Sequence, residues 1–157
     1  LKQYIQGGYQ EDEEQQIRES DNLEGVRILV ADDNELNLEI MFEIFNSSGA
    51  AVDCAHNGKE ALEAYLKSSQ GYYQIILMDV HMPEMNGLEA TKEIRNSGRP
   101  DACTVPIIAM TADVFKEDIR RCQDAGMNAH MGKPVELDKL YSTVRKLLNK
   151  EALGEKQ

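Results

Sequence analysis

Unbroken apolar runs alternate along this chain with segments whose apolar positions recur every three or four residues. Ile75-Ile76-Leu77-Met78 is followed by a single aspartate, Asp79, and then by a turn marked by Pro83 and closed by Asn86-Gly87. A short apolar run bounded in this way reads as a strand buried on both faces. Val26–Ala31 ends in the same manner at Asp32-Asp33-Asn34, and Pro106–Met110 ends at Thr111-Ala112-Asp113. Shorter strand candidates lie at 52–55 and 129–131. Between them the period changes to that of an amphipathic helix. Leu38, Met41, Phe42 and Phe45 form one stripe, and Ser47-Ser48-Gly49 ends it. Asn57 reads as an N-cap with Glu60 three residues on, opening a helix whose inner face is Ala61, Leu62, Tyr65 and Leu66. A helix from Gly87 to about Asn96 turns Leu88, Thr91 and Ile94 inward, and Ser97–Asp101 reads as a loop. Phe115, Ile119 and Cys122 form the next stripe, and Leu137, Leu140, Tyr141, Val144, Leu147 and Leu148 the last.

Strand and helix thus alternate five times, which predicts an α/β fold with a parallel sheet covered on both faces. Few topologies satisfy right-handed crossovers, chiefly the five-stranded doubly wound sheet. The alternation occupies residues 26–149. Residues 1–25 hold seven acids against Lys2 and Arg18 and read as an acidic linker or as the tail of an upstream domain. Residues 150–157 read as a C-terminal tail. The chain has 157 residues, one domain's length.

Charge and cysteine content exclude several classes. The net charge of −11 argues against nucleic acid as a direct partner. No stretch approaches the roughly 20 apolar residues of a membrane span, so no direct membrane contact is expected. Cys54, Cys103 and Cys122 are too widely spaced for a disulfide framework or a zinc motif. Cys54 and Cys122 read as small core residues, and Phe42 and Phe45, at helical spacing, as core. A cytoplasmic location is expected from reduced, widely spaced thiols.

In a parallel sheet every strand's carboxyl end lies on one side, so the polar residues that end these strands gather there. Strand one delivers Asp32 and Asp33, strand three Asp79, strand four Thr111 and strand five Lys133. Three carboxylates within about 5 Å repel by several kcal/mol at an effective dielectric of about 20, so such a cluster calls for a cation. Oxygen-only donors favour a hard ion, Mg²⁺ rather than zinc. A carboxylate beside Mg²⁺, an ammonium and a hydroxyl is arranged for attack on phosphorus, giving an aspartyl phosphate. A phosphohydrolase with an aspartyl nucleophile would want a second acid two residues after Asp79, where His81 stands. Flavin binding would want a Gly-rich phosphate loop where Asp32-Asp33-Asn34 stands.

Ile28-Leu29-Val30-Ala31-Asp32-Asp33-Asn34, Leu77 through Gly87, Pro106 through Ala112 and Gly132-Lys133-Pro134 closely resemble the receiver domain of two-component response regulators. The resemblance runs from about Val26 to Leu148. It implies a flavodoxin-like (βα)5 receiver fold and a phosphoacceptor, Asp79, charged by a phosphohistidine on a histidine kinase or histidine phosphotransfer domain. It implies Mg²⁺ held by Asp33, Asp79 and the backbone carbonyl of His81, with Asp32 acting through a water. Thr111 would contact the phosphoryl group, Lys133 would pair with it, and the Lys133-Pro134 peptide would be cis. The switch aromatic of the family, three residues before the lysine, is His130 here. His81 and Asp113 occupy positions that tune hydrolysis. The resemblance implies no classical enzyme but a domain that catalyses its own phosphorylation and dephosphorylation. Asp-Asp-Asn-Glu-Leu-Asn and Met-Pro-Glu-Met-Asn-Gly-Leu-Glu-Ala-Thr resemble receivers fused to hybrid sensor histidine kinases. The absence of an initial Met and the short stretch after Leu148 fit a C-terminal receiver of such a kinase, with a free-standing regulator as the alternative.

Overall fold

A computed structural model of the chain describes residues 22–112 and 116–152. Five parallel strands, β1 (Arg27–Ala31), β2 (Ala51–Ala55), β3 (Ile75–Asp79), β4 (Ile107–Thr111) and β5 (Ala129–Gly132), form one sheet in the order β2-β1-β3-β4-β5. Helices α1 (Glu35–Ser47), α2 (Gly58–Lys67), α3 (Gly87–Arg95), α4 (Lys116–Ala125) and α5 (Leu137–Ala152) follow the strands in turn. This is the doubly wound parallel sheet that the alternating pattern predicts.

Alternate strand residues point to opposite faces, and the core divides accordingly. Ile28, Val30, Ile75, Leu77, Ile108 and Met110 pack with Leu38, Met41 and Phe45 of α1 and with Leu140, Tyr141 and Val144 of α5. Leu29, Ala31, Ile76, Met78, Ile107 and Ala109 pack on the other face with Ala61 and Tyr65 of α2, Ala90 and Ile94 of α3 and Cys122 of α4. All five residues of β3 and of β4 are buried. An uninterrupted apolar run is therefore required of these two strands, and they carry one.

The helical stripes are narrower than the apolar pattern suggests. Phe42, Leu66 and Leu137 stand exposed at the flanks of their helices, whereas Leu38, Met41 and Phe45 occupy the arc that meets the sheet. Cys54, expected in the core, is exposed because β2 is an edge strand whose residues are mostly uncovered. Cys122 is buried as expected. Phe115 of the α4 stripe lies outside the described residues.

Two differences come from contacts between distant segments. Leu23, in the stretch read as linker, is buried in the same core cluster as Phe45 and Val144. Its amide donates to the Ser48 carbonyl at 2.8 Å, and Arg145 Nη1 donates to the Asn22 carbonyl at 2.9 Å. The packed chain therefore reaches back to Asn22. The rest of the acidic lead-in, 1–21, and the end of the tail, 153–157, lie outside the described residues. The stretch read as a loop at 97–101 runs into a 3₁₀ turn, Pro100–Cys103. There the Arg99 guanidinium donates to the carbonyls of Tyr65 (2.8 Å) and Ser68 (2.9 Å), adding to the Ser68 amide and hydroxyl that already donate to Tyr65 at the end of α2. Arg99 also pairs with Asp101 at 2.9 Å and lies over the Tyr65 ring. Among the described residues no helix is long and apolar enough to cross a membrane.

Candidate metal centre

The strand order reverses direction between β1 and β3, and the crevice outside their carboxyl ends is where doubly wound sheets bind ligands. Asp32 follows β1 directly, and its amide is held by the Ala55 carbonyl at 3.0 Å. Only 1% of it is exposed, and both carboxylate oxygens are engaged. Oδ1 accepts from the Asn34 amide at 2.9 Å, and Oδ2 accepts from Asn37 Nδ2 at 3.3 Å. Asp79 is the last residue of β3 and is 3% exposed. Its Oδ1 accepts from the His81 amide at 3.3 Å. Asp33 is exposed, and its carboxylate meets no cation among the described residues. Asp32, Asp33 and Asp79 each offer one oxygen within 4.8 Å of the others.

Lys133 follows β5 directly. Its Nζ lies 3.0 Å from Asp79 Oδ2 and 3.2 Å from Asp32 Oδ2, and the Lys133-Pro134 peptide is cis. The Lys133 amide donates to the carbonyl of Thr111, the last residue of β4, at 2.9 Å. The Thr111 side chain is buried at the same sheet edge. Strand ends thus bring together Asp32, Asp33, Asp79, Thr111 and Lys133, as the sequence pattern expects. His81 sits two residues beyond Asp79 with its side chain exposed, and His130 on β5 is exposed as well. Asp113 lies outside the described residues.

Electrostatics set the chemistry of this edge. Burial pushes the Asp79 carboxyl above its ordinary value, with the Asp32 charge adding to the effect, and Lys133 pulls only partly the other way. Burial opposes the Lys133 charge, but the hydrogen bond and charge of Asp79, together with those of Asp32, outweigh it and raise the ammonium. Two carboxylates at the 4.8 Å limit repel by about 3.5 kcal/mol at an effective dielectric of about 20. Three carboxylates against one ammonium leave a formal charge of −2, which a single divalent cation cancels. The donors are all oxygen, so the residues fit a hard divalent ion such as Mg²⁺.

Several supporting residues escape a reading of motifs alone. Asn37 steadies Asp32 from the first turn of α1. Gly87 opens α3 against β3, and its amide donates to the Val80 carbonyl at 2.9 Å. A β-carbon there would overlap the Asp79 carbonyl oxygen and sit 2.9 Å from Met78 Cγ. Gly58 makes a similar approach to the loop after β3. His56 bridges two helices, with Nδ1 3.1 Å from Glu60 Oε1 and Nε2 3.2 Å from Glu35 Oε1.

The Glu60 hydrogen bond, aided by the charges of Glu35 and Glu60, lifts His56 above its ordinary 6.5 although burial opposes it. A raised basic group contributes stability below its unfolded pKa and loses that contribution as pH rises through the folded value. An NMR titration of the imidazole is therefore expected to give a midpoint above 6.5, and Glu60→Gln to bring it down. A midpoint unmoved by Glu60→Gln would contradict the bridge.

A doubly wound sheet with an acid trio, a hydroxyl and a lysine at its carboxyl edge defines the receiver class of two-component signalling domains. The family model for the response regulator receiver domain matches residues 28–145, and the chain belongs to that family. It is 35% identical over 134 residues to hybrid signal transduction histidine kinase L of Dictyostelium discoideum, covering 85% of this chain and 8% of that protein. It is 33% identical over 131 residues to the sensory/regulatory protein RpfC of Xanthomonas campestris pv. campestris, covering 83% of this chain and 18% of that protein. The chain therefore spans under a fifth of the length of these curated relatives. Among solved structures it is similar to the receiver domain of sensor histidine kinase PA1611 from Pseudomonas aeruginosa PAO1, which has a magnesium ion coordinated in its active site cleft. That likeness has a TM-score of 0.71 at 31% identity and covers 80% of this chain and 98% of the other.

Proposed function

We propose that this domain is a phospho-accepting switch in which Asp79 takes a phosphoryl group from a phosphohistidine on a histidine kinase or histidine phosphotransfer domain. The observation that carries this reading is the ammonium of Lys133 set between two buried carboxylates, with a third, exposed carboxylate within 4.8 Å. Asp32 has both oxygens hydrogen-bonded to backbone and side-chain amides, whereas Asp33 is open, which supports Asp33 as a direct metal ligand and Asp32 as a ligand through water. Asp79 is taken as a direct ligand because its carboxylate is the one that must meet the phosphoryl group. The His81 backbone carbonyl completes the proposed protein ligands. Mg²⁺ held by these residues would supply positive charge against the oxygens of the transferring phosphoryl group.

The chain's own residues do the rest. An Asp79 carboxylate oxygen attacks phosphorus in line, the P–N bond breaks, and neutral imidazole leaves from the protonated phosphohistidine. Lys133 exchanges its contact with Asp79 for one with a phosphoryl oxygen, and Thr111 donates a hydrogen bond to another. Loss of the phosphoryl group is water attack on the same acyl phosphate, with His81 and Asp113 as tuning positions. This makes the domain a catalyst of its own phosphorylation and dephosphorylation. Thr111 and His130 form the switch. His130 lines a cleft of about 440 Å³ with Ile119, Met127, Lys146 and Leu147, which supports the face formed by α4, β5 and α5 as the surface that changes. The receiver read from the sequence as 26–149 is extended here to 22–152, with 1–21 as an acidic lead-in and 153–157 as a tail, in the cytoplasmic part of a hybrid histidine kinase. Incubation with a phosphohistidine-bearing phosphotransfer domain should label the wild-type chain in Mg²⁺ but not in EDTA, and should not label Asp79→Asn. Equal labelling of Asp79→Asn would overturn the assignment.

A further inference from the structure

The loop between β2 and α2 sends no side chain into the acid cluster, yet it is wedged against the loop that does. Gly58, the first residue of α2, is buried, and its amide donates to the Met85 carbonyl at 2.8 Å. A β-carbon at this position would overlap the Met85 carbonyl oxygen and sit 2.9 Å from the Asn86 carbonyl oxygen. Both are backbone atoms, which cannot turn aside as a flexible side chain would. Gly58 has no left-handed φ, so alanine is allowed by its own backbone and acts only by the space it takes. Met85 and Asn86 belong to the segment that leaves β3 at Asp79 and passes through His81 before Gly87 opens α3. The Asn57 side chain caps α2 beside this contact by accepting from the Glu60 amide at 2.8 Å.

We propose that Gly58 is a positioning residue for the metal centre: its missing side chain and its amide set the place of the β3–α3 loop, and through it the His81 backbone carbonyl. The inference rests on the reading above that this carbonyl is a metal ligand. Mg²⁺ demands near-ideal octahedral geometry at about 2.0–2.1 Å, whereas Ca²⁺ accepts about 2.3–2.6 Å and irregular shells. A displaced carbonyl therefore costs Mg²⁺ more than Ca²⁺, whichever way the loop moves.

The test is a pair of calorimetric titrations, Mg²⁺ and Ca²⁺, on the wild-type chain, Gly58→Ala and Asn57→Ala. Gly58→Ala is expected to weaken Mg²⁺ binding by about tenfold or more, with a smaller change for Ca²⁺, so that the ratio of the two dissociation constants shifts toward Ca²⁺. Asn57→Ala, which loosens the start of α2 without adding a wedge, is expected to lower the melting temperature and leave that ratio unchanged. An unchanged ratio in Gly58→Ala, or an equal shift in Asn57→Ala, overturns the proposal. Should Gly58→Ala not fold, hydrogen exchange at the Gly58 amide of the wild-type chain decides the matter. It is expected to slow on saturation with Mg²⁺, and exchange unaffected by Mg²⁺ overturns the coupling. A wild-type chain that binds no Mg²⁺ at all would instead overturn the metal site itself.

Discussion

Lys133→Ala is expected to destabilise the magnesium-free domain by about 3 kcal/mol, the cost of stripping the partner from a buried ion pair. The ammonium is 3.0 Å from Asp79 and 3.2 Å from Asp32, carboxylates that are 3% and 1% exposed. Without it three acids face one another within 4.8 Å. Adding Mg²⁺ at about 100 times its dissociation constant contributes about 2.7 kcal/mol to a form that binds it, so the variant in magnesium should come close to the magnesium-free wild type, which magnesium raises in its turn. Urea unfolding followed by circular dichroism, with and without Mg²⁺, measures both. The gap between wild type and variant should also narrow as pH falls, because protonation of Asp79, whose pKa burial already raises, removes the unpaired charge. An ammonium without a partner before phosphorylation would give instead a substitution that leaves the fold intact and only uncouples the switch. An unchanged midpoint in EDTA would favour that view and contradict the paired arrangement.

Gly87→Ala is expected to destabilise the fold by about 3 kcal/mol and to abolish phosphoryl uptake as well. The added methyl would overlap the Asp79 carbonyl oxygen and press on Asp79 C at 3.0 Å and Met78 Cγ at 2.9 Å. These atoms belong to β3, which is buried on both faces and hydrogen-bonded to β1 and β4, so the strand has nowhere to retreat. Overpacking a close-packed core costs about 1–3 kcal/mol, and backbone on both sides of the clash puts this site at the upper end. The capping box formed by Asn86 and Glu89 ties α3 in place one residue away and limits relief from the helix side. Denaturation midpoint and acetyl phosphate uptake of the same preparation check both parts. A variant that keeps wild-type stability would mean that α3 can shift freely from β3.

The strand ends were the most legible part of this chain. A parallel sheet sends every carboxyl terminus to one edge, so Asp32, Asp33, Asp79, Thr111 and Lys133 could be grouped without knowing any distance. The doubly wound order followed from the alternation of strand and helix. Less legible was whatever depends on two segments far apart meeting at a particular spot. The Arg99 clamp on α2, the bond of the Leu23 amide to the Ser48 carbonyl and the contact of Gly58 with Met85 span tens of residues and carry no local period. Phe42, Leu66 and Leu137 fit the helical spacing, but the sheet covers a narrower arc than the apolar stripe and leaves them exposed. Cys54 fits a strand pattern as well in an edge as in a centre, and only the strand order tells the two apart.

The central claim is that Asp79 is the nucleophile of a magnesium-assisted phosphoryl transfer. Treatment with acetyl phosphate and Mg²⁺, followed by borohydride reduction, converts an aspartyl phosphate to homoserine, which peptide mass spectrometry locates. Homoserine at residue 79 alone, absent when EDTA replaces Mg²⁺, is the result expected. Homoserine at Asp32 or Asp33, or none at residue 79 in a folded chain saturated with Mg²⁺, would contradict it.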